Sequence, residues 1–143
     1  MSDNPAPDDR PSVTVRPRGV AVAALLTGLE GVVIAGLGVA MLVLLAVGEP
    51  DGVLQAATGA VTVLVLSVLP LLAGHGLWRL RRWSRGPAVI TQVLALPASW
   101  HMFQIGGLWT ASAVVLALLA VVVLGCLMNP VAAAALGVVP PHR

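Results

Sequence analysis

The sequence predicts an all-α integral membrane protein: four transmembrane helices in an antiparallel bundle, with both ends on the cytoplasmic side. Three observations lead there. Of 143 residues, 58% are hydrophobic and only 10% charged, whereas soluble domains are about a quarter charged. The apolar residues fall into four runs close to the ~20 that cross a hydrocarbon core of roughly 30 Å. The arginines gather at alternate ends of those runs, as membrane orientation requires.

Residues 1–18 are rich in Pro, Asp, Ser and Arg without apolar periodicity. They bury too little to offset the entropy of ordering, so a disordered cytoplasmic tail is expected. They do not read as the start of a signal peptide, because the run that follows is about 28 residues long and ends in no small-residue cleavage site.

The transmembrane domain is placed at 19–129. Its first span is 20–47, closed by Gly48-Glu49-Pro50-Asp51-Gly52, a turn cluster. The second span is 53–78, ending at Arg79. The third, 87–104, is the shortest and most polar, and Gly106-Gly107 separates it from the fourth, 108–128. Asn129-Pro130 then breaks the helix. The apolar stretch 131–139 is too short to span, so 130–143 is expected to be a short cytoplasmic or interfacial tail.

Arg79, Arg81, Arg82 and Arg85 fill the loop between the second and third spans, and Arg16 and Arg18 precede the first. The first turn carries two acids and no base, and the turn between spans three and four carries no charge. The positive-inside rule therefore places both termini and the arginine loop in the cytoplasm. Trp78 and Trp83 fall at that interface and Trp100 and Trp109 near the opposite one, forming two aromatic belts.

Helices in lipid associate by close van der Waals contact, which small residues permit. Each span carries a seam at alternating spacings of four and three: Ala24, Gly28, Gly31, Ala35 and Gly38 in the first, then Ala56, Ala60, Val63, Ser67, Pro70 and Gly74 in the second. Ala88, Gln92, Ala95 and Ser99 follow in the third, and Gly106, Thr110, Ala113, Ala117 and Ala120 in the fourth. This period implies left-handed, near-antiparallel packing. GC-rich codon usage, which also suits a chain with no Lys and no Tyr, enriches the same residues.

Glu30 is the one acid inside a span, and an intramembrane ionisable residue is a functional candidate by default. It lies well off the Gly28/Gly31/Ala35 seam, on a face with Ala23, Leu26, Ile34, Leu37 and Met41. That position points it at a second helix pair, a second copy or a partner protein. Hydrogen-bonded to a Ser, Thr or Gln it would hold helices in register; exposed to a passage it would couple to protons. Gln92 and His75 are weaker candidates. His75 and His101 lie toward opposite faces and cannot jointly ligate a metal or haem. Arg79, Arg81, Arg82 and Arg85 form a candidate cytoplasmic docking or lipid-headgroup patch, each contributing on the order of 1 kcal/mol near an anionic leaflet.

A net charge of +2 is too small for a nucleic-acid partner. A single cysteine, Cys126, allows neither an intramolecular disulfide nor a Cys-rich metal site. No zinc-protease, nucleophile-elbow or acidic Mg²⁺ motif is present. The reading is a non-enzymatic protein without cofactors, in contact with membrane lipids and with a membrane-protein partner or its own copies. It is an accessory or scaffold subunit, or alternatively a small proton-coupled transporter acting as an oligomer through Glu30.

The stretch Gly76-Leu77-Trp78-Arg79-Leu80-Arg81-Arg82-Trp83-Ser84-Arg85-Gly86-Pro87-Ala88-Val89, with Gln92-Val93-Leu94-Ala95-Leu96-Pro97 after it, resembles the central loop and third helix of the small, uncharacterised four-helix integral membrane proteins of actinobacteria. The Asn129-Pro130-Val131-Ala132-Ala133-Ala134-Ala135-Leu136 ending is similar to their close. The resemblance covers about a third of the chain, and it implies a bacterial plasma-membrane location and no activity. The small multidrug resistance transporters are similar only in having four spans and a lone Glu in the first. They surround substrate with aromatic residues, whereas this chain has no Tyr and one Phe, Phe103.

Overall fold

Among the described residues the chain forms five helices: α1 (Arg18–Val47), α2 (Val53–Trp78), α3 (Arg85–Ile105), α4 (Leu108–Met128) and the short α5 (Pro130–Ala135), with one 3₁₀ turn at Arg82–Ser84. The structure, a computed structural model, describes residues 17–48 and 51–137. The expected tail up to residue 16, with Arg16, and residues 49–50 and 138–143 lie outside the described residues. Among the described residues there is no strand.

Three helices, α1, α2 and α4, are long and apolar enough to cross a membrane. The chain is therefore an all-helical protein built for a lipid environment. The region expected as the third span is the 21-residue α3. It carries Thr91, Gln92, Ser99, His101 and Gln104, and is not among the helices that meet that measure of apolarity.

The helix ends follow from local chemistry. Gly106 and Gly107 have φ of +81° and +62°, a region where a Cβ is strained, and these two residues turn α3 into α4. Pro130 disfavours helical ψ at Asn129, which has ψ 131°. Pro130 then occupies the first position of α5, where its missing N–H costs nothing, and Asn129 Oδ1 accepts from Val131 N at 2.9 Å. Pro70 and Pro97 stand inside helices that continue through them.

Two hairpins, α1/α2 and α3/α4, make the closest contacts. They join through α1 with α4 and α2 with α3, so the four long helices form a ring with α1 and α3 on a diagonal. Gly28, Gly31, Gly38 and Gly74 of the seams lie at the α1/α2 contact, whereas Gly106 lies in the α3–α4 turn. A Cβ on Gly31 would fall 2.8 Å from Leu71 N, one on Gly38 2.7 Å from Leu64 Cγ, and one on Gly74 2.7 Å from Gly28 N. Only hydrogen in place of a side chain lets the α1 and α2 backbones approach this closely. Ala88, Gln92, Ala95 and Ser99 are buried in α3, as are Ala113 and Ala120 in α4.

The apolar core sits at one end of the ring, the end that carries the arginine loop. Val20, Ala23, Ala24, Ala73, Leu77, Ala88, Val123 and Leu127 meet there with Ala132 and Leu136 at the foot of the molecule. The short α5 thus folds back onto the bundle and closes it.

Candidate functional site

Seen along α1, Glu30 follows Ala23 and Thr27 on the face turned from α2 toward the centre of the ring. The residue is buried, 8% exposed. From the diagonal helix α3, the fully buried Gln92 reaches across, and its Nε2 donates to Glu30 Oε2 at 2.9 Å. Two residues singled out separately thus meet across 62 positions of sequence. Glu30 contacts the second hairpin, one of the three neighbours that its position off the α1/α2 seam allowed.

The surroundings are otherwise sparing in polar groups. Thr91 donates its hydroxyl to Pro87 O at 2.8 Å and so satisfies itself within α3. Thr27, one turn from Glu30 on α1, is fully buried, and its Oγ1 has no partner. Gln92 Oε1 is likewise buried without a partner. Sequence reasoning passed over Thr27; its spacing of three from Glu30 was the available signal. His75 is exposed on α2 and does not join this group. Among the described residues no three His, Cys, Asp or Glu converge as a metal cluster.

The arginines divide into two roles. The loop carrying them is clamped rather than loose. Ser84 is buried against Gly76, where a Cβ would lie 2.5 Å from the Ser84 Cβ. Arg81 N donates to Gly76 O at 2.9 Å, Ser84 Oγ donates to Arg81 O at 2.6 Å, and Leu80 takes φ +53° while its side chain packs on the core. Arg79 and Arg81 are exposed from this frame, and Arg85 is half-buried at the start of α3. Arg82, although exposed, lays its guanidinium against Gly137, at the end of α5. That is where a helix presents unsatisfied carbonyls and partial negative charge. Arg82 thus lies beside the end of the C-terminal helix, while Arg79 and Arg81 are exposed away from it.

Two shallow grooves open on the surface. One follows Gln55, Thr58, Gly59 and Thr62 on α2; the other lies between Arg18 and the α4–α5 junction, beside Cys126. Glu30 lines neither. The hydroxyls of Thr58 and Thr62 donate to the carbonyls of Leu54 and Thr58, each at 2.7 Å.

No protein-family model, curated protein or solved structure matches the chain.

Proposed function

We propose that this protein is a non-enzymatic accessory or scaffold subunit of a membrane assembly in the bacterial plasma membrane, with four spans and both termini cytoplasmic. The observation that carries the reading is the use made of Glu30. The one acid within the apolar helices is buried and is engaged by Gln92 from another helix of the same chain. An acid serving transport needs a route to water or substrate, whereas one spent on a helix contact serves assembly.

The fourth span is supported by how α3 turns its polarity. Thr91, Gln92 and Ser99 face inward, while Ile90, Val93, Leu94 and Phe103 are exposed on its outside. A helix of 21 residues rises about 31 Å, enough to cross. Orientation rests on charge: the described arginines, Arg18, Arg79, Arg81, Arg82 and Arg85, all lie at one end, and Asp51 lies at the other. The likeness of the central loop to small actinobacterial membrane proteins accords with the location.

The docking surface proposed for the partner is the outward pair Arg79 and Arg81 on their clamped loop. A photo-crosslinking residue at either position in the full-length chain should capture one defined partner in stoichiometric yield, and the same residue at lipid-facing Leu118 should not. A clean homo-oligomer, together with proton-linked flux in vesicles that a folded Glu30→Gln variant abolishes, would establish the transporter instead. Single-cysteine accessibility at Asp51, Arg82 and Gly106 tests the topology; Asp51 and Arg82 on one side would sink it.

A further inference from the structure

The Glu30–Gln92 contact leaves one atom unexplained. Gln92 is fully buried; its Nε2 is used, yet its Oε1 accepts from nothing. A buried carboxamide oxygen without a donor carries the desolvation cost of both lone pairs. The carboxyl beside it has a matching problem. Among the described residues, no cation faces Glu30 from any helix packed around it. On α1, Arg18 is three turns away; on α2, His75 is exposed; on α3, Arg85 and His101 lie near opposite ends; on α4, the one titratable group is the half-buried thiol of Cys126. A carboxylate here would be a charge in hydrocarbon with a single hydrogen bond to offset its lost hydration.

One proton resolves both. A carboxylic acid and a carboxamide are complementary: each has one donor and one acceptor on the same edge, so two hydrogen bonds close a ring. With Gln92 Nε2–H already donating to Glu30 Oε2, an acid O–H on Oε1 would supply the donor that Gln92 Oε1 lacks. We propose that Glu30 and Gln92 together form a proton-binding site at the centre of the bundle, in which the acid hydrogen of Glu30 is held by Gln92 Oε1 and locks α1 to α3. The bound proton is drawn from water; no other bond forms or breaks. Because α1 and α3 are diagonal in the ring, this lock draws the two hairpins together across its axis. It holds whether the protein is a scaffold or a transporter, and its test reads protonation, not partner capture or flux.

A cation held by Glu30, Gln92 Oε1 and Thr27 Oγ1 is the competing explanation, since Thr27 also has a buried oxygen without a partner. The two differ in what the carboxyl is and in what Thr27 does.

The experiment is infrared spectroscopy of the full-length protein in lipid nanodiscs at neutral pH, with variants compared as difference spectra. The wild type should show a protonated-carboxyl C=O band that shifts in heavy water and is absent from Glu30→Gln. That variant should keep its helical circular dichroism and wild-type thermal stability, because two amides can form the same two-bond ring. Gln92→Leu should keep the band at a higher frequency, its hydrogen bond having been lost. Thr27→Val should leave the band unchanged. Replacing sodium chloride with N-methylglucamine chloride should leave stability unchanged. A carboxylate band that disappears in Glu30→Gln, with no acid band in the wild type, would overturn the proposal. So would a sodium-dependent stability that Thr27→Val removes.

Discussion

The two ends of this bundle are built from the same residues, mostly Ala, Val, Leu and Gly, and behave differently. At the arginine end four long helices and α5 converge on Val20, Leu77, Val123, Leu127 and Leu136, all fully buried. At the other end, Leu37, Val43, Leu44, Val47, Leu54, Ile105 and Leu108 are all exposed, and the close approach of Gly38 to Leu64 lies within the α1/α2 hairpin. Composition therefore does not determine where a membrane protein packs. In lipid, an exposed Leu costs nothing by hydrophobicity, so helices close only where small residues, a polar pair or a covering segment make contact better than lipid does. The arginine end has all three, in Gly74 against α1, in the neighbouring Glu30–Gln92 pair and in α5.

The most severe way to break this contrast is Gly74→Leu. Gly74 touches the α1 backbone itself, with Gly28 N at 2.7 Å and Ala24 O at 3.0 Å from the place of a Cβ, so no side chain can move aside. The α1/α2 hairpin should open, and the protein should fail to purify as a stable species. Full wild-type stability on denaturant titration in detergent would show that the two backbones are not in contact.

Next comes a pair of truncations. Leu127→Ala, at the buried core, should cost about 2–4 kcal/mol of stability. Leu118→Ala, on the same helix but 61% exposed, should change it by less than about 0.5 kcal/mol. Equal effects would mean that the arginine end is no better packed than the lipid-facing surface.

A smaller effect is expected at the closing helix. Arg82→Ala removes the guanidinium that lies on Gly137, a contact with a helix C-terminus worth about 0.3–1 kcal/mol. The half-buried Cys126, beside the α4–α5 junction, is a native reporter. Its rate of thiol labelling should rise severalfold in Arg82→Ala and stay unchanged in Arg79→Ala, whose side chain faces outward. The smallest effect belongs to Gly36→Ala. A Cβ there meets nothing within 4 Å, although the residue sits in the same helix as Gly31 and Gly38. Stability should be unchanged, and a loss comparable to that of Gly31→Ala would return the glycine pattern to codon usage.

The glycines of α1 also mark how far sequence reading reaches. The seam Ala24, Gly28, Gly31, Ala35 and Gly38 was visible as a periodicity. Gly36 falls off it, and open space surrounds it. Yet Gly28, on the seam, also has open space where its Cβ would be, and it makes contact instead through its backbone N and Cα. Periodicity identifies a face, and only helix rotation and crossing decide which atom of each residue does the touching.

By itself the sequence determined the four long helices and their approximate extents, but not the short α5, which falls in the stretch expected to be a tail. Apolar runs, glycine and proline breaks and small-residue periods are properties of neighbouring residues, read within a few turns of chain. The clustering of arginine between α2 and α3 belongs to the same class. Tertiary structure alone decided that Glu30 meets Gln92, that Arg82 turns to the end of α5 while Arg79 faces outward, and that the core gathers at one end. Each of these joins segments far apart in sequence. The choice among possible neighbours is made by the ring order of the helices and by how closely glycine lets two backbones approach.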